Sequence, residues 1–365
     1  MKPIRFLMVG GFLGAGKTTS IGRLAAHYVA QGLNVALVTN DQAYDLVDTH
    51  TLRAQGFQVG EVPGACFCCK FDDLIETVGS LSDQKTPDIV IAEPVGSCTD
   101  LVATVIQPMR ELFGDRFELG PLVVLLKPVH GKKILAEQKG KGFSPKAEYI
   151  FLKQLEEADA IAINKIDRMS LEDQQSLLEL VEKRFPGVPV FGVSARDGVG
   201  FEKLIAAAAA EPKKRNQMME MDYQTYAEGE AELGWLNCQI EAKSEAKFDL
   251  DGLVLKLVTG IGGELTDTDC EVAHLKVLGQ TMNDAAVANL VGSAVESELS
   301  LASEIKTKAA DVLVNARVAA SPEELEQIVT SITTDLADEL KIDLTVGNMQ
   351  SFRPGKPEPT HRSGA

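Results

Sequence analysis

The amino-acid sequence predicts an α/β architecture: a doubly wound, mostly parallel sheet followed by a smaller α+β domain. Three observations carry this. Short apolar runs rich in Val and Ile alternate with amphipathic stretches as far as about residue 210. The first of these runs leads without a break into a glycine-rich turn and a helix. A charged stretch with no apolar periodicity, 211–232, then ends the rhythm. Runs that are apolar on both faces are typical of buried parallel strands, and strands that alternate with helices build an open sheet covered on both sides. At 365 residues the chain is also longer than one core usually supports.

In chain order, the strands are expected at 4–9, 34–39, 88–92, 122–126, 158–164 and 188–193. Helices are expected at 18–31, 101–113, 146–156 and 172–185, the first of them stopped by Gly32. Residues 1–212 thus form the first domain and 213–232 a linker. Beyond it the pattern gives strand 235–241, helix 250–258, strand 272–278, strand 311–318 and a helix from Pro322 to about Leu340. Ser321 before Pro322, with Glu323 and Glu324 behind it, is a strong helix start. That order suggests a compact α+β domain over 233–349, ferredoxin-like in its succession of elements. The Pro-rich end, 350–365, reads as a disordered tail.

The composition narrows the partners. With 36 Lys plus Arg against 53 Asp plus Glu, the formal charge is −17. A field of that sign repels nucleic acid and anionic lipid, so neither is an expected partner. No apolar run reaches the roughly 20 residues a membrane span needs. The first fifteen residues, with Lys2 and Arg5 before an apolar stretch, superficially resemble a signal peptide, but they run straight into Gly16-Lys17-Thr18-Thr19 and are better used as a buried strand. The expected compartment is the cytoplasm, where the six cysteines are thiols or metal ligands rather than disulfides.

Gly11-Phe12-Leu13-Gly14-Ala15-Gly16-Lys17-Thr18 fits the phosphate-binding pattern G-x-x-x-x-G-K-[ST]. Gly11, Gly14, Ala15 and Gly16 let backbone N–H groups close around phosphate oxygens, and the helix that Thr19 continues points its positive end there. Lys17 is expected on the β and γ phosphates, and the Thr18 hydroxyl on Mg²⁺.

Asn164-Lys165-Ile166-Asp167 stands at the end of an expected strand, where open α/β sheets bind ligands. Its spacing after the phosphate loop suits guanine recognition. The Asp167 carboxylate can accept from both the ring N–H and the 2-amino group, while Lys165 packs over the base. Ser194-Ala195, after the next strand, resembles the GTPase element whose backbone meets the guanine carbonyl. Glu93 ends another strand and is a candidate for Mg²⁺, directly or through its water, or for placing the attacking water. Asp41, at the end of the second strand, is a second acidic candidate at the metal.

Cys66-Phe67-Cys68-Cys69 puts three thiols within one loop. Thiolates are soft donors suited to Zn²⁺ or Co²⁺, and three can supply most of a tetrahedral site. Adjacent Cys68 and Cys69 cannot point the same way in an extended chain, so a turn is expected there. The loop lies between the phosphate loop and Glu93, where a metal could feel the γ-phosphate. Cys98, Cys238 and Cys270 are isolated and are expected to pack in cores, and His274 is expected to be a satisfied core or surface histidine rather than a ligand.

Taken together, the phosphate loop, the run from Gly64 to Cys69, Glu93 with Gly96, and Asn164 to Asp167 resemble the CobW-like group of metal-handling P-loop GTPases, of the CobW/HypB/UreG family. The resemblance covers about residues 1–212 and implies a CobW-type C-terminal domain. It implies GTP hydrolysis coupled to delivery of zinc or cobalt to a client protein, with GTP, Mg²⁺ and Zn²⁺ or Co²⁺ as ligands and a nucleotide-dependent dimer as a candidate assembly. The alternatives are a chaperone that loads or reactivates a cobalamin-dependent enzyme, and a regulatory GTPase whose cysteines sense redox state. Three departures from the group stand out. Asn40-Asp41-Gln42-Ala43-Tyr44 replaces an Asn-Glu-Phe-Gly-Glu-like segment, leaving Asp41 and Asp48 as acidic substitutes. Pro94-Val95 follows Glu93 in place of Thr-Thr. The His-rich stretch is absent, with five His in all, which excludes bulk metal storage.

Overall fold

A computed structural model of the chain describes residues 2–42, 47–84, 86–136, 144–212, 218–268, 270–290, 292 and 296–364. Ala43 and Tyr44, part of the altered segment, lie outside these residues, as does 213–217 of the expected linker.

Seven strands build the first sheet: β1 (Ile4–Gly11), β2 (Val35–Asp41), β3 (Gln58–Pro63), β4 (Ile89–Glu93), β5 (Phe117–Leu126), β6 (Ala160–Ile163) and β7 (Val190–Gly192). Their order is β3-β2-β4-β1-β5-β6-β7, and every pairing is parallel. The period of two explains why the sheet is buried on both sides. Phe6 and Met8 of β1, with Ala36 and Val38 of β2, join one core under helices Phe71–Gln84, Pro145–Glu156 and Leu171–Arg184. Leu7, Val9, Val35 and Leu37 join the opposite core under helices Lys17–Ala30 and Phe201–Ala209. The expected doubly wound α/β sheet is thus present. The helix expected over 101–113 starts with a π-type turn, Val102–Ile106, and continues as Gln107–Phe113.

The second sheet holds β8 (Gly234–Asp249), β9 (Val272–Gln280), β10 (Ala285–Leu290), β11 (Glu298–Leu301), β12 (Lys306–Val318) and β13 (Asp343–Phe352), in the order β11-β10-β9-β12-β8-β13. All its pairings are antiparallel. Helices Leu250–Asp267 and Pro322–Leu340 follow β8 and β12, so the chain traces a βαββαβ, ferredoxin-like unit with β10 and β11 added beyond β9. The two faces have different tasks. Leu275, Val277, Val312, Val314 and Ala316 pack with the helices. The alternating residues His274, Lys276, Leu313, Asn315 and Arg317 turn away from that core. Leu278, Val287 and Leu313 meet Val47 of the first unit, and Asn315 Oδ1 accepts the Val47 N–H at 2.9 Å.

Two expectations need correction. The charged stretch before the second sheet holds a helix, Tyr223–Ala231, capped by Asp222, whose carboxylate accepts the N–H groups of Gln224 (2.9 Å) and Thr225 (3.2 Å). Its Tyr226 is buried in the first core, so apolar contact, invisible in the local pattern, holds it. The C-terminal segment is not a disordered tail. It lies across the cysteine loop, where the Thr360 N–H donates to the Cys68 carbonyl at 2.8 Å and Arg362 pairs with Asp100 at 2.8 Å. No helix among the described residues is long and apolar enough to cross a membrane.

Candidate functional site

The motif residues converge at the carboxyl ends of β1, β4, β6 and β7, on either side of the point where strand order reverses. One cleft there is lined by Gly14, Gly16, Lys17, Thr18, Thr19, Glu93, Asn164, Lys165, Asp167 and Ala195. Its far wall comes from the second sheet, through His274, Lys276, Asn289 and Glu298.

At the phosphate end, Lys17 folds back so that Nζ donates to the Gly11 carbonyl at 2.9 Å. Burial pushes its ammonium below the ordinary range, with Glu93 opposing. Among the described residues, the Gly11 carbonyl is the hydrogen-bond partner of this buried cation. The Thr18 hydroxyl lies between Asp48 and Glu93 Oε1, the latter at 3.1 Å. Glu93 Oε2 is buried without a hydrogen-bond partner among the described residues. Burial, then the charge of Asp48, raises the Glu93 carboxyl to about 7. Two carboxylates beside one threonine hydroxyl, one of their oxygens orphaned, are the hard oxygen donors a Mg²⁺ ion takes. The residues therefore fit that ion.

Asp41 lines the same cleft, where its carboxylate is already paired. Nη2 of Arg317 holds both its carboxylate oxygens, at 2.9 and 3.0 Å, and that fully buried guanidinium stacks on Trp235 at 4.1 Å. Asp41 is thereby engaged in joining the two sheets. Beside Glu93, the second acidic neighbour of Thr18 is Asp48, on helix Val47–Ala54, which also pairs with Lys276 of β9. Burial alone would raise the Asp48 carboxyl, but the Lys276 ammonium holds it below its ordinary value. Sequence reasoning missed Lys276; its nearest signal is the alternation of His274 and Lys276 with Leu275 and Val277 along β9.

At the other end, Asn164 lines the cleft and also organises its loops. Its Nδ2 donates to the Ala15 carbonyl at 2.8 Å, and its Oδ1 accepts the N–H groups of Lys165 (2.8 Å) and Ala195 (3.0 Å). It comes so near the phosphate loop that a Cβ on Gly16, already at φ +89°, would meet Asn164 Nδ2 at 2.4 Å. Lys165 is in the left-handed region, and burial lowers its ammonium to about 7. Asp167 is exposed in the one-turn helix Ile166–Arg168. Ser194 is buried and accepts the Asp197 N–H at 3.1 Å, while Arg23 braces the next residues through the Ala195 carbonyl at 2.7 Å.

The cysteine loop is shaped from β2. Asn40 donates to the Val62 and Ala65 carbonyls, both at 2.7 Å, and accepts the Phe67 N–H at 2.8 Å. The expected turn is present: the Cys66 carbonyl accepts the N–H groups of Cys69 and Lys70, both at 3.0 Å. It brings Cys66 Sγ within 2.7 Å of Cys68 Sγ and 3.2 Å of Cys69 Sγ, with 3.8 Å between the other two. A tetrahedral ion with Zn–S bonds of about 2.3 Å wants sulfurs about 3.8 Å apart, so a small spread admits it. The Cys66 thiol is pushed well down by hydrogen bonds from Cys68, then Cys69 and Cys98. The Glu358 N–H donates to Cys69 Sγ at 3.2 Å from the C-terminal segment. Cys98 is buried in the same core as Cys66 and Cys68, as expected. Cys238 and Cys270 pack in the core of the second sheet as expected, and His274 is buried, which holds its imidazole well below the ordinary range.

Comparison with known proteins places this geometry in context. A family model described as "CobW/HypB/UreG, nucleotide-binding domain" matches residues 5–191. "Zinc chaperone YeiR" of Escherichia coli (strain K12) is 32% identical over 174 residues, 47% of this chain and 49% of that protein. "Zinc chaperone YjiA" of the same organism is 25% identical over 203 residues, 54% of this chain and 59% of that protein. "Zinc chaperone CobW" of Sinorhizobium sp. is 26% identical over 218 residues, 52% of this chain and 58% of that protein. The chain spans about half the length of the curated relatives it matches.

Proposed function

The chain belongs to the CobW/HypB/UreG family of nucleotide-binding domains, and from that premise we propose that it is a GTP-hydrolysing metallochaperone whose cysteine loop carries a thiophilic divalent ion to a client protein. Zinc is the leading cargo, because the curated relatives are named zinc chaperones; cobalt is the other ion the donors suit. The observation that carries the reading is shared construction. The strand end that shapes the cysteine loop through Asn40 continues into Asp41, and the loop after Glu93 lies on the phosphate loop. A Cβ on Gly96 would meet Leu13 at 2.6 Å.

In this reading Gly11 to Thr19 cradle the phosphates, and Lys17 moves from the Gly11 carbonyl to a β or γ oxygen. Thr18, Asp48 and Glu93 hold Mg²⁺, which supplies charge to offset the phosphates. Glu93 Oε2 is placed to orient the attacking water. Asp167 selects guanine, with Lys165 over the base and the Ser194-Ala195 backbone at its carbonyl. Lys276 would lose or keep Asp48 according to what Thr18 binds, so the second sheet would register the nucleotide. Division into a nucleotide-binding unit (1–212) and a C-terminal unit (233–349), action in the reducing cytoplasm and a nucleotide-dependent dimer belong to the same proposal.

Base choice tests the engine. GTP should displace a labelled guanine nucleotide far better than ATP, and Asp167→Asn should weaken GTP while favouring a xanthine nucleotide. Sites that pair polar groups with their substrate commonly discriminate by several kcal/mol. Equal competition by ATP and GTP on the wild-type protein would refute the guanine assignment.

A further inference from the structure

The far wall of the nucleotide cleft belongs to the second sheet, and it brings to the phosphate end a cation that the phosphate-loop pattern does not contain. In β9 the period of two turns Lys276 away from Leu275 and Val277, which pack under the helices, and toward the first unit. Its ammonium donates to Asp48 Oδ1, the same oxygen that accepts the Thr18 hydroxyl. Lys276 Nζ and Thr18 Oγ1 thus meet at one oxygen atom, and both residues line the cleft with Gly14, Gly16 and Lys17. The wall is anchored on two sides. The Arg317–Asp41 pair and the hydrogen bond from the Val47 N–H to Asn315 join β12 to the first unit. Glu298 of β11 pairs with Arg168 and Arg196, which follow Asp167 and Ala195 in the base loops. Those two cations are thereby occupied at the base end. At the phosphate end Lys17 faces two carboxylates, Asp48 and Glu93, gathered at the Thr18 hydroxyl. A triphosphate adds further negative charge there. Lys276 is the cation of the second sheet beside it, a mobile point charge on a stem that is 17% exposed.

We propose that Lys276 contacts the substrate in the GTPase site: when GTP enters, its ammonium leaves Asp48 for a γ-phosphate oxygen and stabilises the charge there during hydrolysis. This rests on the GTPase part of the metallochaperone reading and deepens it. In the step concerned, water attacks the γ-phosphorus and the bond to the β–γ bridging oxygen breaks. GDP and inorganic phosphate leave, the proton lost by the water passes to phosphate or solvent, and Lys276 keeps its own protons. GDP offers no γ oxygen, so with GDP the ammonium stays on Asp48. The second sheet thereby tells the two nucleotides apart by direct contact.

The test compares GDP with a non-hydrolysable GTP analogue, by displacement of a fluorescent guanine nucleotide from the full-length protein, with Mg²⁺ and with the ion chelated. Lys276→Ala should bind the analogue about tenfold or more weakly, the range of a charge-assisted hydrogen bond, and GDP as the wild type does. The loss should persist without Mg²⁺, where a residue that only positions Asp48 for the ion would have no effect. Lys276→Arg should regain part of the preference for the analogue. GTP turnover of Lys276→Ala should fall about 10²–10³-fold, as when one preorganised donor is removed. A second measurement decides the matter should the variant fail to fold. In the wild type, amine acylation read by mass spectrometry should modify Lys276 more slowly with the analogue than with GDP. An unchanged preference in Lys276→Ala, a loss confined to the Mg²⁺ arm, or equal acylation with both nucleotides overturns the proposal and leaves the GTPase reading standing. A wild type that binds neither nucleotide overturns both.

Discussion

The nucleotide cleft and the cysteine site lie at the same edge of one sheet but are built on opposite principles. The cleft is made of backbone and of charges that do not balance. Lys17 is held by a carbonyl, Glu93 has an oxygen with no partner among the described residues, and Lys165 is half-buried, its desolvation outweighing the Asp167 carboxylate. The cysteine site is closed and internally satisfied. Its sulfurs hydrogen-bond one another, two are buried, and the C-terminal segment covers the third. The charges of the first region are of the kind that a polyanion and a cation would balance. The second needs only to exchange protons for an ion. A molecule with both can use the large free energy of one to alter the geometry of the other.

The largest effect expected from this contrast is at Lys17. Lys17→Ala should lower GTP turnover by about 10²–10³-fold, the usual cost of one preorganised charge donor. Zinc affinity without nucleotide should not change, because Lys17 touches none of the sulfurs. Turnover by phosphate release and zinc competition with a chelating dye would read the two arms. A parallel fall in both would mean that the two regions are one site.

A tenfold effect per pH unit is expected from Glu93. Mg²⁺ must displace the proton that burial retains there up to about 7, so Mg²⁺ affinity should climb about tenfold per unit below that pH and level off above it. Glu93→Gln should abolish the climb. Without the ion, the sign for folding is reversed. The folded carboxyl keeps a proton that the unfolded chain releases above its ordinary 4.5, so this group's contribution to stability falls as pH rises from 4.5 to about 7.

These two regions also differ in how far the sequence discloses them. The phosphate loop is contiguous, and each residue acts where it stands, so strand, glycines, Lys17 and Thr18 are legible from order alone. So are Asn164 to Asp167 and the three clustered cysteines. The residues that complete each site are brought by pairing between distant segments. Lys276 reaches Asp48 because β9 alternates its faces, and Arg317 takes Asp41 across the two sheets. The C-terminal segment is held by backbone N–H groups on Cys68 and Cys69, a bond that any non-proline residue can make, so its Pro-rich composition hides it. Helix Leu250–Asp267 runs beyond the expected 258 because Ile261 and Leu265 remain buried, although the glycines between them read as an end.

The smallest effect concerns the cover on the cysteine site. Arg362 holds the C-terminal segment through Asp100 and the Met219 carbonyl, at 2.8 and 3.1 Å. Its side chain is 26% exposed. Arg362→Ala should speed zinc loss to a chelator by no more than about fivefold, the range of a partly exposed ion pair. GTP turnover should be untouched. Equal zinc release rates would mean that the segment lies over the site without guarding it.

Coupling between the two regions is the central claim, and zinc affinity measured against nucleotide state tests it most directly. Zinc is titrated against a chelator of known affinity with Mg²⁺–GDP, with a Mg²⁺-bound non-hydrolysable GTP analogue, and with neither. The account predicts that the two nucleotide states differ by at least about fivefold in zinc affinity, and that zinc changes the affinity for the analogue relative to GDP by the same factor. Identical zinc affinities in all three states would contradict it: the chain would then hold a metal site and a nucleotide site with no exchange between them.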